Sequence, residues 1–86
     1  MNTNKIFEYL QELADRMGIR IITGKGDFNG GGCRVHEDIV IVINKVKPIE
    51  YQSRTIVEGL TNYGLSDHYL IPAVRSYIEE NLNIKI

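Results

Sequence analysis

Gly32-Cys33-Arg34-Val35-His36-Glu37-Asp38-Ile39-Val40-Ile41-Val42-Ile43-Asn44 carries the strongest strand signal in the chain. Branched apolar residues fill its second half, and such side chains pack well on a pleated surface. It reads as two strands, about 32–36 and 39–44, joined at Glu37-Asp38 by a turn of two-residue hairpin length. That pair lacks the usual Asn-Gly or Asp-Gly chemistry, so a longer turn stays open. Residues 39–43 are apolar at every position. A strand with one wet face alternates apolar and polar, so this one is expected to be central or covered by a partner.

Upstream lies a tract, 24–32, holding five of the eight glycines. It reads as a flexible connection with positions at positive φ. Before it, Ile19-Arg20-Ile21-Ile22-Thr23 is short and β-branched, hence a strand. Residues 3–17 form a helix, because Ile6, Phe7, Leu10, Leu13, Ala14 and Met17 fall on one stripe of a 3.6-residue period. Thr3 is placed to cap its start and Gly18 to close its end. Downstream, Pro48 opens a second helix running to about Tyr63, with Ile49, Ile56, Val57, Leu60 and Tyr63 as its stripe and Gly64 as its stop. Ser66 to Tyr69 is a short turn or helical loop. A third helix spans about 71–82, with Ala73, Val74, Tyr77, Ile78 and Leu82 inward. The expected fold is α+β: one small domain over 1–86, α-β-β-β-α-α, a three-stranded antiparallel sheet with the helices packed on one face.

Alternation along each strand sorts side chains into faces. Ile19 and Ile21, Cys33 and Val35, and Ile39, Ile41 and Ile43 are assigned to the apolar, inward face. Arg20, Ile22, Arg34, His36, Val40 and Val42 are assigned to the other. Helices on one side leave the second side bare, and Arg20, Ile22, Arg34, Val40 and Val42 are therefore the expected contact set for a protein partner or a homodimer.

The chain has 10 Lys and Arg against 11 Asp and Glu, a net charge of −1. A hydrophobic share of 43% with 24% charged residues is that of a globular domain and not of a disordered one. A dedicated nucleic-acid binder usually shows a basic excess or stripe, so with this even balance no nucleic-acid partner is expected. Its longest apolar run is five residues, 39–43, against roughly 20 for a membrane span. A single cysteine excludes an internal disulfide, and with no signal-like start the expected location is the cytoplasm.

Motifs for chemistry are sparse. The glycine tract is followed by a strand, whereas a phosphate loop feeds a helix N-terminus and ends Gly-Lys-Ser/Thr. Cys33 and His36 have C-x-x-H spacing, but residues three apart on a strand diverge, so no metal is expected there. Cys33 is expected to be a small inward hydrophobe. Glu79-Glu80 diverge by about 100° on a helix and read as solvated surface. Asp67-His68 reads as a helix-entry turn. Tyr63 and Tyr77 suit the core edge, while Tyr9 and Tyr51 fall off the apolar stripes and suit contacts.

Gly31-Gly32-Cys33-Arg34-Val35, the strand 39–43 and the helix from Pro48 to Leu60 resemble a class of small bacterial proteins with a GGxCRV-type strand. Ile41-Val42-Ile43-Asn44 through Gln52, Thr55 and Glu58 is also similar to the core of ImmA/IrrE-type metallopeptidases. These place a strand ending in asparagine before a helix bearing H-E-x-x-H. That resemblance implies a shared scaffold. Setting its glutamate at Glu58 puts Val57 and Thr61 where zinc-binding histidines stand, and neither residue replaces imidazole. Thr55 is also one residue out of step. No cofactor is expected. The leading functional expectation is a non-enzymatic interaction or regulatory domain; the alternative is a small enzyme or ligand carrier acting through the glycine tract with Cys33, His36 and Glu58.

Overall fold

The computed structural model of the chain describes residues 2–84. In order it contains α1 (Thr3–Arg16), β1 (Ile19–Gly24), β2 (Gly31–Val35), β3 (Asp38–Asn44), α2 (Ile49–Asn62), a 3-10 turn (Leu65–Asp67) and α3 (Pro72–Asn81). The strands lie in the order β1-β3-β2. Among the described residues, no helix is long and apolar enough to cross a membrane.

The sheet is mixed rather than antiparallel. β2 and β3 form the expected antiparallel hairpin, but β3 runs parallel to β1, with Ile19 beside Ile39 and Ile21 beside Ile41. The cause is the central place of β3, the strand apolar on both sides. The hairpin inserts its second strand beside β1, so the glycine tract must carry the chain past the end of β3 to the far edge. Gly30 makes that passage possible. Its φ is +96°, and a Cβ there would lie 2.5 Å from the Val42 carbonyl oxygen.

The hairpin loop is His36-Glu37, one residue earlier than Glu37-Asp38, and it brings Val35 opposite Asp38. His36 carries the positive φ, 59°, that a two-residue hairpin loop demands at its first position. A loop of two residues pairs odd positions of β2 with even positions of β3. Directly opposite residues share a face, so Cys33 joins Val40, and Arg34 joins Ile39. The inward assignment of Cys33 and Val35 and the outward assignment of Arg34 are therefore both reversed. Cys33 is exposed, not a buried hydrophobe.

The core lies between the sheet and the helices. Ile6, Leu10, Leu13 and Ala14 from α1 meet Ile41 and Ile43 from β3 and Ile56, Val57 and Leu60 from α2, all 2% exposed or less. From α3, Val74 and Ile78 close the same core, with Leu82 just beyond its end. Ala73 is exposed, because it lies a helical step off the line of these three. Asn2, not Thr3, caps α1: its Oδ1 accepts the Lys5 N–H at 2.9 Å. Gly18 and Gly64 have φ of 75° and 102°, the left-handed geometry expected of helix stops.

Candidate interaction groove

β2 is an edge strand, and α2 packs over both it and β3. The helix comes close because Gly59 faces Ile41; a Cβ at Gly59 would lie 2.6 Å from the Ile41 Cδ1. Gly32 stands beneath the same point, its own Cβ position 3.5 Å from the Gly59 Cα. Beyond this contact a cleft of ≈ 330 Å³ opens between the start of β2 and the helix. Its floor is Gly30, Gly31 and Gly32, and its wall is Tyr51, Arg54, Glu58 and Asn62. Those four recur at intervals of three and four, so they form one stripe along α2.

Within this wall, Arg54 Nε lies 3.5 Å from Glu58 Oε1, with side chains 45% and 57% exposed. At that exposure the pair contributes little to stability. Arg54 also donates through Nη1 to the Leu82 carbonyl at 2.9 Å, which ties α2 to the end of α3. Thr55 donates its hydroxyl to the Tyr51 carbonyl at 3.0 Å. The wall thus offers one anchored cation, one solvated anion, an aromatic ring and an amide.

The floor offers backbone. A two-residue hairpin closes with a hydrogen-bonded pair, here Val35 and Asp38, and antiparallel pairs then alternate between bonded and non-bonded. Counted from that turn, Val35, Cys33 and Gly31 direct their N–H and C=O groups to β3. Gly32 and Arg34 direct theirs to the free edge. Gly31 and Gly32 put no side chain of their own on this edge: nothing lies within 4 Å of the Gly31 Cβ position, and the Tyr63 ring lies 3.5 Å from that of Gly32.

On the face away from the helices, the register groups Arg20 with Val40 and Cys33, and Ile22 with Val42 and Gly31. Val40 is 4% exposed, while Ile22 and Val35 at the margins are 44% and 48% exposed. Four of the five residues expected as a contact set thus share this face; Arg34 stands on the helix side. The loop 25–30 covers one end of the face. Asn44, 1% exposed, holds it there by donating Nδ2 to the carbonyls of Gly26 at 2.8 Å and Phe28 at 2.6 Å. The Phe28 ring lies against Gly24.

The structure does not gather the residues of the alternative chemical reading. Glu58 lines the groove, Cys33 lies on the opposite face of the sheet, and His36 sits in the hairpin loop. Among the described residues no hydrogen bond joins them, and no three His, Cys, Asp or Glu side chains cluster as metal ligands do. Val57 is buried in the core, and Thr61 donates to the Val57 carbonyl at 2.8 Å. Of the two tyrosines expected to make contacts, Tyr51 lines the groove. Tyr9 is half-buried and its hydroxyl accepts the Ile71 N–H at 3.4 Å. Sequence reading missed the groove wall, although the period of Tyr51, Arg54, Glu58 and Asn62 was there to be counted. This polar stripe runs beside the apolar one on the same helix.

No protein family, no curated protein and no solved structure matches the chain.

Proposed function

We propose that this is a non-enzymatic protein-interaction domain that takes an extended strand along the free edge of β2, beneath the polar stripe of α2. The carrying observation is the juxtaposition of an edge strand that has no side chains of its own at Gly31-Gly32 with a cleft walled by Tyr51, Arg54, Glu58 and Asn62. Strand addition draws its affinity from main-chain hydrogen bonds and its specificity from alternate side chains. Here Gly32 and Arg34 supply the free main-chain groups, and the α2 stripe meets every second side chain of the guest. Val57 and Thr61 support the non-enzymatic reading, since the residues flanking Glu58 as zinc ligands would are an alkyl and a hydroxyl group.

Selection from a random peptide library tests this reading. Wild-type protein enriches extended peptides; Glu58→Trp, which fills the cleft from an exposed helix position, abolishes the enrichment; Ile22→Lys on the other face does not. Enrichment that survives Glu58→Trp and is lost in Ile22→Lys overturns it.

That last outcome belongs to a second reading, in which the face opposite the helices is the contact surface. It is favoured by Ile22 and Val35, exposed on either side of Val40 and Val42. Parallel strand pairs, such as β1 and β3, are also usually covered on both faces. Arg20, Ile22, Val40 and Val42 carry this reading, joined by Cys33 and Val35 in place of Arg34.

A further inference from the structure

We infer that the strand taken up by β2 is β2 of a second copy of this chain, in a two-fold pair with Cys33 opposite Cys33. The inference rests on the strand-addition reading above and names its partner.

Register carries the argument. β2 has five residues, Gly31–Val35, and Cys33 is the middle one. One antiparallel self-pairing alone uses all five, and it sets Cys33 against itself. Gly32 then faces the partner's Arg34, and Gly31 faces the partner's Val35. Gly32 and Arg34 are the two residues whose main-chain groups point to the free edge, so each Gly32–Arg34 pair is a hydrogen-bonded pair. Cys33 and its counterpart form the non-bonded pair between them. Shifting the centre to Arg34 would oppose two like charges, which is unfavourable.

Side chains agree with that register. Arg34 and Gly32 lie on the helix side of the sheet, as do their opposites Ile39 and Ile41. The largest side chain of β2 therefore falls opposite a residue that has none. The partner's Arg34 enters the groove over Gly32, where Glu58 stands on the wall. Arg34 is exposed and makes no ion pair among the described residues, and the Glu58 side chain is 57% exposed. Each Arg34 gains a carboxylate and each Glu58 a second guanidinium. On the opposite face the apolar margin at Val35 continues across the junction. β2 has no proline, no lysine and no bulge to blunt its edge, and its one charged residue, Arg34, is matched in this register by Gly32 and Glu58 of the other copy.

Sedimentation velocity over a concentration series, run in reductant, tests the pairing. The wild-type chain forms a dimer. Arg34→Glu and Glu58→Arg each weaken it by about tenfold, and the double variant regains at least half of the loss on a logarithmic scale. Both positions are exposed, so folding survives and is checked by circular dichroism. A second measurement fixes the register. With oxidised glutathione as electron acceptor, Cys33 crosslinks to its counterpart. A non-bonded antiparallel pair holds its Cα atoms about 4.5 Å apart, inside the range of about 4.4–6.8 Å that a disulfide spans. Crosslinking falls in Arg34→Glu at equal concentration. A chain that stays monomeric throughout, or a dimer indifferent to both charge reversals, overturns the self-pairing. If the chain is monomeric but selected peptides are still blocked by Glu58→Trp, strand addition stands with a different guest; if both fail, both readings fall.

Discussion

β1 and β2 both border the sheet, but they border it differently. β1 carries a side chain at five of six positions, runs parallel to its neighbour and has α1 packed along it. β2 starts with two glycines, runs antiparallel, and has beside it a cleft walled by one stripe of α2. Exposure of main-chain groups alone does not make an edge useful, since both strands have it. What distinguishes β2 is the cleft beside it, walled by Tyr51, Arg54, Glu58 and Asn62 of α2. Gly59 lets the helix settle close to the sheet, and Gly31 and Gly32 add no side chains of their own beneath it.

This contrast breaks first if the wall is soft. Leu10 anchors α1 and Leu60 anchors α2, both fully buried. Leu10→Ala and Leu60→Ala should each cost about 2–5 kcal/mol in urea melts, the range for buried leucines. A loss under about 1 kcal/mol at Leu60, with the full loss at Leu10, would mean that α2 is loosely held and forms no wall.

The two glycines leading into the edges sharpen the contrast. Gly18 precedes β1 at φ 75° with nothing within 4 Å of its Cβ position; Gly30 precedes β2 at φ 96° with the Val42 carbonyl 2.5 Å away. Gly18→Ala should cost about 1 kcal/mol, from left-handed backbone alone. Gly30→Ala adds a steric clash and should cost about 2–3 kcal/mol. Equal costs would show that the passage into β2 is not tightly fixed against β3.

Cys33→Ser should change stability least, within about 0.5 kcal/mol, because the side chain is exposed. Its thiol should react with a probe in dilute monomer as quickly as a free exposed cysteine. A thiol hidden at every dilution contradicts the parity that puts Cys33 on the open face.

Helices and core were legible from period alone. Ile6, Leu10 and Leu13 on one helix, and Ile56, Val57 and Leu60 on another, announce their burial by spacing. Strand direction was not legible, because residues 39–43 are apolar on both faces and pair equally well with either neighbour in either sense. The face of Cys33 was legible in principle: a two-residue loop fixes the parity between the strands that it joins, and alternation counted straight through the turn loses it. The groove could not be read from composition, since it is made of absent side chains at Gly31, Gly32 and Gly59. The role of Asn44 depends on a loop closing over the sheet, a contact between residues 16 and 18 positions apart.

Amide hydrogen exchange, followed residue by residue at low and high protein concentration, reports directly on pairing at the β2 edge. Gly32 and Arg34 point their N–H groups to the free edge, so they should exchange quickly in dilute protein and slow sharply as the second strand arrives. Cys33, bonded within the hairpin, should be protected in the dilute protein already, and the amides of β1 should not respond to concentration. Gly32 and Arg34 amides that stay fast at every concentration, or slowing confined to β1, would contradict the account.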